Sequence, residues 1–346
     1  MMIRREKPMA TGIYEHQRPF VLESGDTLPG FRLAYTTHGR PDAAGGNTVW
    51  VFHALTGSAD PLDWWAGLVG EGGLFDPARH FIVCANMPGS CYGSTGPLDT
   101  HPATGVPWYH GFPFFTPRDM ARAFIHLRRH LGIDRIAVGI GGSMGGQVLL
   151  EWAVEEPALF DRIIPIATNA CHSAWGRAFN ASQRLCIEAD PSWPESRPDA
   201  GMAGMKVARS VALLSYRHYR TYAAKQPDDP ERIEGFRSES YQRYQGEKLA
   251  ARFNAFSYHA LSKGMDAHHL GRGRGPLEEV LAGIRARTLA IGIDTDLLFP
   301  PEEQAFLAEH VPSARFALLA SDYGHDAFLV EYGKMEGIIG PFLNGS

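Results

Sequence analysis

The segment that most constrains this chain is residues 135–155, RIAVGIGGSMGGQVLLEWAVE. Its first part, Arg135–Gly141, is a short apolar run that reads as a strand, and Met144–Glu155 reads as an amphipathic helix. Only Gly141-Gly142-Ser143-Met144-Gly145 separates them, so the chain must turn sharply from strand to helix. A G-x-S-x-G segment in that setting holds its serine exposed, and its small flanking residues avoid collision with neighbouring chain. The N–H groups at the helix start then face any negative charge that develops there. A Gly-rich phosphate-binding turn is the alternative reading. The flanking strand and helix favour a nucleophilic Ser143, and Gly146 permits close helix packing.

Elements of the same kind surround this unit. Strands are expected at Phe31–His38, Thr48–Leu55, His80–Asn86 and Arg162–Thr168, with a helix at about Pro117–Leu131 carrying apolar Met120, Ala121, Phe124 and Leu127 at helical spacing. After Asn169 the rhythm stops, and residues 171–284 hold long helical stretches with few strand runs. It returns as strand Arg287–Asp294, helix Pro301–His310, strand Ala314–Ala320 and helix Asp326–Phe342. Buried strands alternating with helices imply an α/β fold, with a mostly parallel central sheet and helices on both faces. Residues 1–170 and 285–346 form its two parts. Residues 171–284 are a helical lid inserted over the C-terminal strand ends, where open α/β sheets place their sites.

A serine hydroxyl needs a base, and the base an orienting acid, in the chain order Ser, Asp or Glu, His for such a fold. Asp296 follows one late strand and His325 follows the next, preceded by Gly324. Asp294 is the alternative acid, although it still belongs to its strand; Asp322 and Asp326 flank His325 and are expected to line the site. The oxyanion donors are expected to be the N–H of Met144, just after the nucleophile, and that of Leu55, in the loop His53–Gly57 after an early strand. The His53 ring is expected to brace that loop by hydrogen bonding.

Composition narrows the alternatives. The 346 residues carry a formal net charge of −5, so no basic footprint points to nucleic acid or an anionic membrane. The Lys/Arg cluster at 126–135 reads as a solvated helix face, and PDDPER (227–232) as an exposed turn. The N-terminus lacks a signal-peptide core, and no stretch is long enough to span a bilayer. Cys84, Cys91, Cys171 and Cys186 are scattered without metal-ligand spacing, which fits free thiols in a cytoplasmic setting. No metal site and no dinucleotide fingerprint are expected.

Five motifs together, HALTG (53–57), NMPGSCYGSTGP (86–97), GGSMGG (141–146), DLLFP (296–300) and GHDAFL (324–329), resemble those of homoserine O-acetyltransferases. FPFFTPRDM (112–120) and DPSW (190–193) fit as well, so the resemblance covers nearly the whole chain. It implies the α/β-hydrolase fold with a helical lid, and a homodimer. It also implies transfer of an acetyl group from acetyl-CoA, as co-substrate without a bound cofactor, to the hydroxyl of L-homoserine in methionine biosynthesis. By resemblance Ser143, Asp296 and His325 form the triad, Asp326 binds the acceptor's ammonium and Arg217 its carboxylate. The plainer readings are a salt bridge in the lid for Arg217 and an N-cap of the last helix for Asp326. The chain departs from the common family pattern at GGQ (145–147) and in residues 241–275, which leaves a succinyl donor, a serine acceptor or an esterase as alternatives. Arg272 and Arg274 fit either CoA phosphates or an exposed turn, Cys91 packs a loop, and Trp64, Trp65 and Trp108 wall the pocket or fill the core.

Overall fold

The computed structural model describes residues 9–43 and 45–345; the first eight residues of the N-terminal segment lie outside the described residues. Strand β1 (Met9–His16) opens the chain, and β2 (Phe20–Val21) and β3 (Thr27–Leu28) form a small hairpin. Then come β4 (Phe31–His38), β5 (Thr48–Phe52), the short α1 (Pro61–Trp64), β6 (Phe81–Ala85), α2 (Pro117–His130), β7 (Ile136–Gly142), α3 (Met144–Glu155) and β8 (Phe160–Ile166). Six helices follow: α4 (Ala174–Glu188), α5 (Met202–Tyr216), α6 (Tyr219–Lys225), α7 (Arg237–Ala250), α8 (Ala255–Asp266) and α9 (Leu277–Ala282). The chain returns to the sheet with β9 (Arg287–Ile293), α10 (Pro301–His310), β10 (Ala314–Leu319) and α11 (Tyr332–Leu343).

Eight strands form one sheet in the order β1-β4-β6-β5-β7-β8-β9-β10. From β6 to β10 every pairing is parallel, while β1 and β4 add an antiparallel edge. Alternation along β5 serves two cores: Trp50 and Phe52 join the apolar cluster on one face, Val49 and Val51 that on the other. This is why the central strands read as continuous apolar runs. Helix α2 begins with a capping box, in which Thr116 accepts from the Asp119 N–H and Asp119 from the Thr116 N–H, and it buries Met120, Ala121, Phe124 and Leu127.

Three expectations change. Strand β1 has no counterpart in the sequence reading, because its side chains from Thr11 to His16 alternate only between exposed and half-buried. Helix α3 is buried continuously from Met144 to Ala153 rather than amphipathic, since Arg274 near the end of the helical insertion covers its outer face through Glu151. The last helix starts at Tyr332, and Asp326 sits in a 3-10 turn at Gly324–Leu329, so Asp326 is not its N-cap.

Candidate active site

Ser143 stands between β7 and α3 with φ 56° and ψ −126°. A non-glycine residue at positive φ costs on the order of 1–3 kcal/mol, so its surroundings must hold it there. They do: its N–H donates to the Ile166 carbonyl at 2.9 Å, and its carbonyl accepts the Thr168 hydroxyl at 2.8 Å. The glycines of the turn are required by contact. A Cβ on Gly145 would lie 2.3 Å from the Phe52 carbonyl oxygen, and one on Gly146 would lie 2.5 Å from the Thr168 methyl. The close approach at Gly145 also brings the end of β5, and with it the His53–Gly57 loop, against the start of α3.

That loop is braced from within. The Met87 N–H donates to His53 Nε2 at 3.0 Å, which leaves Nδ1–H to donate to the Ala54 carbonyl at 2.8 Å. Burial pushes the His53 pKa down to about 4, so the ring is neutral, as this pair of bonds demands. The Thr56 carbonyl accepts from Arg252 at 2.7 Å, tying the loop to the end of α7. Leu55 and Met144, the residues whose N–H groups were expected to face an oxyanion, are both buried.

His325 comes from the 3-10 turn after β10. Its Nδ1 lies 2.6 Å from Asp296 Oδ2, and Asp296 Oδ1 accepts the N–H groups of Leu298 and Phe299 at 2.8 and 3.0 Å. The carboxylate is thus fixed by its own loop with one oxygen left for the imidazole. Asp294 instead accepts the Ser321 N–H at 2.9 Å. Asp322 does not line the site: it is exposed and pairs with Arg220 at 3.0 Å. Asp326 pairs with Arg217 Nε at 3.1 Å, both side chains being partly buried, so the two groups expected to hold an acceptor hold each other in the free chain.

Several contributors were invisible in the sequence. Phe299, Tyr216 and Phe328 surround the His325 ring, and Trp65 donates its indole N–H to the Phe328 carbonyl at 2.8 Å from behind. Gln147, the departure in the GGQ segment, is fully buried and donates to Asn169, which donates in turn to Glu303 at 2.9 Å. Burial, with the Asp296 charge adding to it, lifts Glu303 to about 7. These residues lie far apart in sequence, and only Phe299 and Phe328 sit inside the motifs named above. Trp64 stacks on Trp65 at 5.1 Å and donates its indole N–H to the Ser58 carbonyl, while Trp108 packs at a tilt against His101. Cys91 packs its loop against the Arg252 carbonyl, with burial raising its thiol to about 11.

Arg272 and Arg274 lie on a turn that is largely exposed, as the plainer reading had it, but they are not a free phosphate cradle. Arg274 pairs with Glu151 at 2.7 Å and Glu155 at 2.5 Å, and Arg272 with Glu23 at 3.3 Å. Among the described residues, no cluster of His, Cys, Asp and Glu is arranged to hold a metal ion. Nor is any helix long and apolar enough to cross a membrane. A serine at the end of β7, an acid–imidazole pair after β9 and β10 and a braced loop after β5 are the parts that acyl transfer through a covalent intermediate uses.

Comparison with known proteins agrees. The α/β-hydrolase fold family matches residues 47–332. The homoserine O-acetyltransferase of Cyclobacterium marinum is 48% identical over 334 residues, covering 96% of this chain and 95% of that one. The crystal structure of homoserine O-acetyltransferase from Bacillus anthracis superposes with a TM-score of 0.89 at 23% identity, covering 98% of both chains. That from Staphylococcus aureus does so with 0.81 at 28% identity, covering 97% of this chain and 96% of that one.

Proposed function

The chain belongs to the homoserine O-acetyltransferase family of α/β-hydrolase-fold proteins, and from that premise we propose that it moves an acetyl group from acetyl-CoA to the hydroxyl of L-homoserine. The observation that carries the reading is the 2.6 Å contact between His325 and Asp296, at the C-terminal strand ends of the sheet that also presents the strained Ser143. His325 takes the Ser143 proton as the oxygen attacks the thioester carbonyl. The Leu55 and Met144 N–H groups hold the oxyanion, where one such donor is worth on the order of 100- to 1,000-fold in rate. The thiolate of CoA then leaves with that proton. In the second half the acceptor hydroxyl gives its proton to His325 and attacks the acetyl carbon, and Ser143 departs with the proton from His325.

The acceptor is a zwitterion, and the Arg217–Asp326 pair is its complement. Its carboxylate would take the guanidinium, in the forked geometry that favours arginine, and its ammonium the Asp326 carboxylate. Binding exchanges one internal ion pair for two external ones. Residues 171–284 act as the lid that keeps water from the acetyl-enzyme. A homodimer is supported by the outward face of α5, where Val207 and Leu214 are 54% and 57% exposed at helical spacing. A cytoplasmic location and a place in methionine biosynthesis accord with four free cysteines and with this reaction.

The test is release of free thiol from acetyl-CoA and from succinyl-CoA, with L-homoserine, L-serine or no acceptor present. Release should need acetyl-CoA and homoserine together, and Ser143→Ala should lower it by roughly 10⁴-fold or more. Preference for succinyl-CoA or serine would reassign the substrates. Equal release without an acceptor would make the protein a hydrolase.

A further inference from the structure

We propose that Tyr216, the last residue of α5, is a positioning residue that holds the His325 imidazole in line between Asp296 and Ser143. The insertion then takes part in base catalysis instead of only covering it. The proposal rests on the reading of Ser143 and His325 as nucleophile and base.

One hydrogen bond to Asp296 fixes Nδ1 but leaves the imidazole free to rock about that contact. Rocking carries away Nε2, the nitrogen that must reach the serine hydroxyl. Three rings oppose the motion: Phe299 stacks at 5.2 Å and 22°, Tyr216 lies at 5.7 Å and 38°, and Phe328 meets the ring edge-on at 5.5 Å and 78°. Phe299 and Phe328 belong to the two loops that carry Asp296 and His325. Tyr216 comes from the insertion, about 110 residues earlier in the chain, so it is the ring that the site's own loops do not supply.

Tyr216 is pinned at its far end. Its hydroxyl faces that of Tyr258 on α8, and Tyr258 donates to Gln183 Oε1 on α4 at 2.6 Å. Tyr258 and Gln183 are both fully buried. Helices α4, α5 and α8 therefore converge on one ring through polar groups that a purely apolar packing would not need. The backbone is equally close. A Cβ on Gly324, the residue before His325, would lie 2.8 Å from the His218 nitrogen and 3.1 Å from the Tyr216 carbonyl oxygen. The end of α5 and the turn bearing the base thus touch without an intervening side chain, and a shift of one displaces the other.

The burst of p-nitrophenol from p-nitrophenyl acetate reads acylation of Ser143 with neither CoA nor acceptor present, so it separates base function from the acceptor pocket at neighbouring Arg217. Tyr216→Leu should slow that burst roughly 10- to 100-fold, the scale on which a misplacement near 1 Å acts. The KM for L-homoserine should stay within about threefold, because no acceptor contact is lost. Tyr216→Phe keeps the ring and loses the hydroxyl, and Gln183→Met removes the acceptor of the Tyr258 hydroxyl. Each should slow the burst about 2- to 10-fold, the worth of one hydrogen bond. If Tyr216→Leu does not fold, these two variants decide the matter. An unaltered burst in the folded variants, or an effect confined to the KM for homoserine, would overturn the proposal. A wild-type chain that shows no burst would overturn the serine-nucleophile reading and this proposal with it. A normal burst without transfer to homoserine would sink the acceptor assignment alone.

Discussion

Among the contacts that fasten the helical insertion to the rest of the fold are two sets of ion pairs, and the two differ in physics. At the back, Arg118 on α2 and Arg274 after α8 converge on Glu151 of α3 at 3.1 and 2.7 Å, with the Glu151 side chain 2% exposed. At the front, Arg217 and Arg220 meet Asp326 and Asp322 at 3.1 and 3.0 Å, the second pair with side chains 59% and 61% exposed. Burial raises the Glu151 pKa even against the pull of Arg274 and Arg118, which shows how much desolvation the back attachment bears. Such a cluster is fixed, because each arginine bridges two carboxylates, Arg118 to Glu23 and Glu151 and Arg274 to Glu151 and Glu155, and none of them can turn away without losing a partner. The front attachment keeps access to water and to ligand, so its charges can change partners. One is an anchor; the other is the acceptor site proposed above.

The sharpest way to break this contrast is Glu151→Ala. It removes the carboxylate that Arg118 and Arg274 share, leaving them Glu23 and Glu155 as partners, and should cost about 1.5–3 kcal/mol, measured by denaturant unfolding. A loss below about 1 kcal/mol, the range of exposed pairs, would erase the distinction. Arg217→Lys should leave the melting temperature nearly unchanged and raise the KM for homoserine roughly 10- to 100-fold, as a charged, forked hydrogen bond is lost. A large drop in stability instead would make Arg217 part of the anchor. Arg220→Ala should do least, within about 1 kcal/mol of wild type in stability and with unchanged kinetics. A kinetic effect there would extend the site outward to Asp322.

The two parts were also unequally legible in sequence. The strands β5, β6, β7, β8 and β9 stood out because burial on both faces makes an apolar run, and α2 because one face alone is buried; β4 and the edge strand β10, where Phe316 and Leu318 are exposed, were legible from their apolar and β-branched or aromatic letters alone. The edge strand β1 did not, since neither of its faces is deeply covered. The last helix was placed six residues early, at Asp326 instead of Tyr332, because the apolar 3-10 turn at Gly324–Leu329 continues the hydrophobic pattern into α11. Residues 171–284 were readable as helical and as an insertion. Which of their arginines face ligand and which face buried carboxylates was not: Arg217, Arg272 and Arg274 look alike as letters.

What the sequence determined by itself is the order of chemical parts along the sheet: a serine in a strand–helix turn, an acid after one late strand, a histidine after the next. Local spacing and strand burial suffice for that, because each part sits beside the element that presents it. Tertiary structure decided the rest. It set Asp296 rather than Asp294 against the imidazole, paired Arg217 with Asp326, and brought Tyr216 onto a base about 110 residues further along the chain. Those contacts depend on where separate elements pack, and a one-dimensional pattern carries no record of distance between residues that meet only in the folded chain.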